Sequence, residues 1–234
     1  MLDPKKLLGD LLGSNIPGTD TTVSQTAQKA TRLAKDNPLA TTGLIALLVG
    51  TSAGRSIGGS ALKLGGMAAV AGLAYKAYQN YQAGKSPGEA PHETQPDALL
   101  PAPQDTSFHP SQAPQGEDAF ALTLVQAMIS AARADGHIDD AERARITERI
   151  TMSGLDGDAA VFLREELEKP VSMDVLVSAA RTDAQKVELY TASRLAIEPE
   201  TRAERGYLDM LAGRLKLPDA LIDHVEATVA EIKT

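Results

Sequence analysis

The chain of 234 residues contains no cysteine and no tryptophan, and only 3% of its residues are aromatic. Without cysteine it can form no disulfide, zinc-thiolate site or iron-sulfur cluster, and it has no thiol nucleophile. With so few aromatic side chains, a core must be built from Leu, Ile, Val, Ala and Met, which favours helix packing over a strand sandwich. We therefore predict an all-α protein.

Sequence motifs of common enzyme classes are also missing. The chain has no G-x-S-x-G nucleophile elbow, no H-E-x-x-H motif, no phosphate-binding G-x-x-x-x-G-K loop and no G-x-G-x-x-G motif. Of its four histidines, His92 and His109 lie in a proline-rich stretch and are expected to be solvated, and His224 is interpreted as a residue on a helix surface rather than a base. We predict that the protein is not an enzyme.

Charge is distributed unevenly along the chain. Residues 1–88 carry nine Lys or Arg against four Asp or Glu, and the remainder carries 14 against 27, so net charges of +5 and −13 give the total of −8. A basic half suits an anionic lipid surface, whereas the acidic half would be repelled by nucleic acid phosphates. We expect a membrane partner and no nucleic acid partner.

An apolar, glycine-rich segment at 37–83 follows a polar N-terminal region at 1–36. No charge occurs from residue 37 to residue 54, and a second apolar run extends from Leu64 to Tyr75 between two lysines. A helix that crosses a bilayer needs about 20 mostly apolar residues, so both runs are short for spanning. Their cationic flanks nevertheless favour association with a membrane.

Glycines recur in this segment at helical spacings. Consecutive steps of four and of seven residues would place bare backbone along one stripe of a helix, as in a glycine zipper that packs in a membrane or an oligomer. The alternative is a flexible Gly/Ala region that lies against the surface. The residues concerned are Gly50, Gly54, Gly58, Gly65 and Gly72.

Tyr75, Tyr78 and Tyr81 are spaced by three residues and would share a helix face. Two interpretations stay open, a position at the membrane–water boundary and an aromatic stripe that packs on another helix. The next segment, residues 84–117, contains seven of the 13 prolines. With so few apolar residues it is predicted to be a disordered spacer.

Residues 118–234 have the apolar period of helices. Phe120, Leu124, Ala127, Met128 and Ala131 form one inward face of the first helix. Further helix starts are indicated at Asp139, at Asp156 or Asp158, at Ser172, at Asp183, at Pro199 and at Pro218. The sequence therefore predicts a compact bundle of about seven helices, in which Tyr207, Leu208, Leu211 and Leu215 point inward.

The acidic turn between the first two of these helices is a candidate metal site. It resembles the second half of an EF-hand loop, but Ala131 and Arg133 stand where that loop has carboxylates, so only a weakly bound divalent cation, completed by water or a partner, is expected. A helix cap made by Gly136, Asp139 and Glu142 explains the same residues without a ligand. Both interpretations stay open, and the candidate ligands are Asp135, Asp139, Asp140 and Glu142.

Three stretches together resemble the YebE-type inner-membrane protein family, whose C-terminal part is similar to the tellurite-resistance TerB-like domain. They are GRSIGGSALKLGGMAAVAGLAYKAYQNYQ, AMISAARADGHIDDAER and LYTASRLAIEPETRAERGYLDMLAGRLKLP. The resemblance implies an all-helical fold, an N-terminus in the inner (cytoplasmic) membrane, a cytoplasmic helical domain and a link to metal or envelope stress, with no established catalytic reaction. The expected function is a membrane-tethered module for interaction or sensing, with a protein partner or self-association. The alternative is a soluble self-associating scaffold.

Overall fold

The computed structural model describes residues 3–5, 7–8, 66–88, 101–134, 161–162, 165–166, 168 and 172–233. Within these residues the chain forms a short 3-10 helix, Pro110–Gln112, and no strand. The all-α prediction is confirmed for this part of the chain. The α-helices with described bounds are α1 Gly66–Gln82, α2 Glu117–Ala132, α3 Met173–Ala179, α4 Asp183–Ala196, α5 Arg202–Leu215 and α6 Asp219–Lys233.

Helix α4 is the centre of the bundle. It contacts α1, α2, α5 and α6, and 12 of its 14 residues are buried. Its most extensive contact is with α2, which buries the face predicted from the sequence, including Phe120, Leu124 and Met128 at 0% exposure. Several of these buried residues are polar, so the sequence of α4 does not show an apolar run along its length.

Threonines cap the starts of α4 and α5. The Thr182 hydroxyl accepts a hydrogen bond from the Gln185 amide at 3.1 Å, and α4 begins at Asp183 as predicted. Helix α5 begins after Thr201 and not at Pro199, because Thr201 and Glu204 form a complete capping box. The Glu204 amide donates to the Thr201 hydroxyl at 3.1 Å, and the Glu204 carboxylate accepts from the Thr201 amide at 2.9 Å.

Helix α1 belongs to this bundle, although the sequence predicted a boundary at residue 118. It packs on α6 and α4, and Val70, Leu73 and Ala77 are at most 1% exposed. The Lys76 ammonium pairs with the Glu231 carboxylate of α6 at 3.1 Å. From residue 66 onward, the apolar run that was assigned to a membrane is therefore a core helix. Across the described ranges, no helix combines the length and the apolar character needed to cross a bilayer.

The proline-rich segment folds back on α1 over residues 101–116, so the prediction of a disordered spacer is wrong there. Phe108 is 5% exposed, and its ring centroid lies 5.6 Å from that of Tyr75 and 5.3 Å from that of Tyr78. Aromatic pairs at such distances stabilise a contact beyond the burial of their area. Phe108 is thus a large apolar side chain through which the segment packs on α1. The interpretation of the tyrosines as a stripe that packs on another helix holds for Tyr81, which contacts His224 of α6, whereas Tyr75 and Tyr78 pack on Phe108, outside a helix.

Residues near the N-terminus are also part of the bundle. Leu7 and Leu8 are 1% and 0% exposed. The Lys5 ammonium lies 3.0 Å from the Glu117 carboxylate and 3.4 Å from that of Asp118, both in the first turn of α2. The hydrogen bond to Glu117 raises the pKa of Lys5 above its ordinary value.

Five of the seven helices predicted after residue 117 correspond to α2 through α6. The helix predicted from Asp139 lies outside the described residues. Of the helix predicted after Asp156 or Asp158, residues 161–162, 165–166 and 168 are described, and they are helical. The full count of seven stays a prediction.

Candidate functional site

The predicted metal ligands Asp135, Asp139, Asp140 and Glu142 lie outside the described residues. The choice between a helix cap and a weak divalent cation site there stays a prediction. In the part of the chain that the structure describes, no group of three or more His, Asp or Glu side chains could hold a metal ion.

Of the predicted packing glycines, only Gly72 lies within the described ranges. It is buried in α1 between Ala71 and Leu73, in the wall of the bundle. Burial of Gly72 in α1 does not test its predicted role in membrane or oligomer packing, which stays a prediction. Gly50, Gly54, Gly58 and Gly65 lie outside the described residues.

A polar network joins α4 to α6 through Tyr190, Arg194 and Glu226. The Glu226 carboxylate accepts a hydrogen bond from the Tyr190 hydroxyl at 2.9 Å, and its second oxygen accepts from the Arg194 guanidinium. The same guanidinium donates to the Ile197 carbonyl oxygen at 2.8 Å, beyond the last residue of α4. Burial, followed by the charge of Glu226, raises the pKa of the Tyr190 hydroxyl.

This network can hold α4 and α6 in register, because the Arg194 guanidinium and the Tyr190 hydroxyl both donate hydrogen bonds to the Glu226 carboxylate. Tyr190 and Arg194 are four residues apart and therefore share a face of α4. That spacing is visible in the sequence, but it does not reveal the partner, Glu226, which lies 32 residues beyond Arg194. Sequence analysis missed this cluster for that reason.

Glu188 is a second buried polar group, and it stands apart from the network. Its side chain is 4% exposed, on nearly the opposite side of α4 from Tyr190 at about 100° per residue. No described residue forms a hydrogen bond or an ion pair with its carboxylate, and burial alone raises its pKa well above the ordinary value. A buried carboxyl group without a partner favours the neutral, protonated form.

The Tyr207 hydroxyl of α5 is a third such group. It is enclosed by α2, α4 and α5 but has no hydrogen-bond partner in the described structure. Burial raises its pKa, and the hydroxyls of Ser130 and Ser193 lie close enough to oppose that shift without reaching hydrogen-bond geometry. The Ser193 hydroxyl donates instead to the Leu189 carbonyl oxygen at 3.0 Å.

His224 is not on the surface, as the sequence predicted, but 5% exposed. Its ring lies edge-on to that of Tyr81, with centroids 6.2 Å apart. The prediction was wrong because α1 covers this face of α6, and α1 had been assigned to a membrane. His109, predicted to be solvated, is half-buried and caps the 3-10 helix by accepting from the Ser111 amide at 3.3 Å.

These contacts define a class of protein, a helical-bundle domain whose described buried polar groups mainly join and cap its helices. The chain belongs to the family described as "Protein of unknown function (DUF533)", whose model matches residues 34–229. This family is TerB-like. The matched range begins in the sequence before α1 and ends within α6.

A protein of Yersinia enterocolitica described as "Uncharacterized protein in ampR 5'region" is similar to this chain. The two are 28% identical over 110 residues, which cover 47% of this chain and 79% of the relative. No solved structure matches the chain.

Proposed function

We propose that the protein is a non-catalytic helical interaction module attached to the inner (cytoplasmic) membrane, with its bundle on the cytoplasmic side. The observation that carries this proposal is the continuity between the apolar segment and the bundle. Helix α1 begins directly after residue 65, and its apolar side chains are buried in the core of the bundle. An attached bundle would therefore sit at the membrane surface without an intervening spacer.

Membrane attachment would rest on residues 37–65. They include the 18 uncharged residues 37–54, whose length is near the lower limit of about 17 for a spanning helix. Arg55 and Lys63 follow, and cations at the ends of an apolar run can reach the headgroups of a bilayer. The resemblance to the YebE-type family supports the same location and a role connected with metal or envelope stress.

The proposal of a non-catalytic role is supported by how the bundle uses its polar groups. Arg194, Tyr190 and Glu226 are engaged with one another, and Thr201 and Glu204 close a helix end. Each of these two sets of contacts fixes the position of a helix. Polar groups used in this way are expected in a domain that binds a partner through its surface. Glu188 is enclosed at 4% exposure and is out of reach of a substrate.

The alternative function is a soluble scaffold that self-associates through its glycine repeats. The limited length of the uncharged run favours it, because 18 residues leave little margin for spanning. The two functions differ in one measurable property, namely whether the full chain resists extraction from membranes.

The test is fractionation of the full chain followed by an alkaline carbonate wash. We expect the protein to stay in the membrane pellet, and we expect a variant with Ile45→Lys and Leu48→Lys to move to the supernatant, because charges at the middle of the run oppose insertion. Val161→Lys is the matched control, since Val161 is 50% exposed on the bundle and its replacement should leave the pellet unchanged. Extraction of the unmodified chain by carbonate would refute membrane attachment.

A further inference from the structure

The outer face of α5 is solvent-exposed and apolar along its centre. The opposite side of this helix carries the buried Leu208, Leu211 and Leu215. Met210 on the outer face is 55% exposed, which is unusual for so large an apolar side chain among the described residues. Its neighbours on this face are small, and together with Met210 they follow a spacing of three, four and three residues. The small residues are Ala203, Gly206 and Gly213, all exposed.

The two glycines of this face make no close contact in the part of the chain that the structure describes. Neither has a positive φ angle, and a Cβ atom added to either would meet nothing within 4 Å. The left-handed turn that ends α5 is made by Lys216, with a φ of 57°, and not by a glycine. Glycine weakens a helix interior, but two glycines on one exposed face would let another backbone approach closely.

This face is complementary to itself. Met210 and Gly206 lie two residues on either side of Leu208, and Ala203 and Gly213 lie five residues on either side. When two copies of α5 are laid antiparallel about a two-fold axis at the level of Leu208, each methionine opposes a glycine of the other copy. Isologous contacts of this kind close a dimer.

The charges beside the face also suit a second copy. Arg205 and Asp209 lie on the same flank of α5, and the two-fold axis brings Asp209 of one copy within about 3 Å along the helix of the level of Arg205 in the other. Arg214 on the opposite flank is paired with Asp174 of its own chain, so its charge is already compensated. Val175, 60% exposed, follows Asp174 and extends the apolar surface onto α3.

We infer that the outer face of α5 is a docking surface for a second copy of this chain, with the two helices antiparallel and Met210 seated against Gly206. This inference rests on the proposed function in so far as it names the partner of the interaction module. The contact itself depends on the bundle and not on the apolar segment, so it can be tested separately from membrane attachment.

The absence of cysteine from the chain allows a direct test by cross-linking. Full-length Gly206→Cys and Met210→Cys chains, each distinguishable by size, are expressed together and oxidised with copper phenanthroline. Opposed residues on closely packed helices come within the Cα separation of 4.4–6.8 Å that a disulfide requires. We expect a mixed disulfide dimer in several-fold excess over that from the control pair Asp183→Cys and Glu198→Cys, whose parent residues are exposed outside α5.

A second variant separates loss of contact from loss of folding. Adding Gly213→Leu should abolish the mixed disulfide while the unfolding temperature stays the same or rises, because in the single chain this side chain meets open space. Cross-linking no greater than in the control pair, or cross-linking that persists with Gly213→Leu, would overturn the inference. If the protein forms the mixed disulfide as expected but is extracted from membranes by carbonate, only the proposal of membrane attachment is refuted.

Discussion

Replacing Glu188 by glutamine should remove a pH dependence from the stability of the bundle. The carboxyl group is 4% exposed, without a hydrogen bond or ion pair from any described residue, and burial raises its pKa well above 4.5. The folded chain therefore holds a proton that the unfolded chain releases near pH 4.5. Stability from this group is fully present below that pH and is lost as the pH rises towards the raised pKa.

The size of the effect follows from the proton count. One extra proton bound by the folded state lowers the free energy of unfolding by at most about 1.4 kcal/mol per pH unit. This slope begins above pH 4.5 and ends at the raised pKa of the folded state. Glutamine has almost the same shape and no charge to desolvate, so Glu188→Gln should be more stable than the parent chain near neutral pH and should approach it near pH 4.

The measurement is urea unfolding of the full chain and of the variant at half-unit steps from pH 4 to pH 8. The informative quantity is the difference between the two unfolding free energies, because all other titrating groups cancel in it. Glu198→Gln is the matched control, since Glu198 is exposed and its replacement should leave the curve parallel to that of the parent. Parallel curves for Glu188→Gln as well would show that the carboxyl is solvated or paired, and the reasoning would fail.

Three further substitutions test other contacts of the bundle by chemical unfolding. Arg194→Met should destabilise the protein by about 2–4 kcal/mol, because it leaves the partly buried Glu226 carboxylate without its charged partner, and adding Glu226→Met should recover part of the loss; additive losses would contradict the pairing. Phe108→Ala should destabilise it by about 3–4 kcal/mol and open residues 101–116 to proteolysis, whereas an unchanged digestion pattern would argue against docking on α1. Tyr207→Phe should be neutral or stabilising by up to about 1 kcal/mol, since it removes an unpaired buried hydroxyl, and a clear loss of stability would reveal a bond to Ser130 or Ser193.

The sequence predicted local structure well where a helix is amphipathic. The inward face of α2 from Phe120 to Ala131 is buried as expected, and Leu208, Leu211 and Leu215 of α5 point inward. The start of α5 was predicted incorrectly. The segment T-R-A-E at Thr201 contains the capping box that begins this helix, but Pro199 also fits a first-turn position and the start was predicted there.

Placement of α1 could not be derived from the sequence because the apolar first half of this helix, residues 66–75, suits both a bilayer and a protein core. The deciding contacts are distant along the chain, such as Lys76 with Glu231 and Tyr81 with His224. Contacts with α1 also explain the errors at His224, which Tyr81 covers, and in the spacer prediction for residues 101–116, where Phe108 packs on Tyr75 and Tyr78. Composition described residues 101–116 correctly as proline-rich, but it did not reveal that Phe108 and Ala102 are buried and that Gln115 donates to the Ala179 carbonyl oxygen.

The contact between α1 and α6 also sets an order of events during synthesis. The side chains of Lys76 and Glu231 are 155 positions apart. At a synthesis rate of 5–20 residues per second, roughly 8–31 s pass between the two residues leaving the catalytic centre of the ribosome. During that interval the apolar surface of α1 exists without the helix that covers it, so an insertion machinery or a chaperone has time to engage this helix before the bundle can close around it.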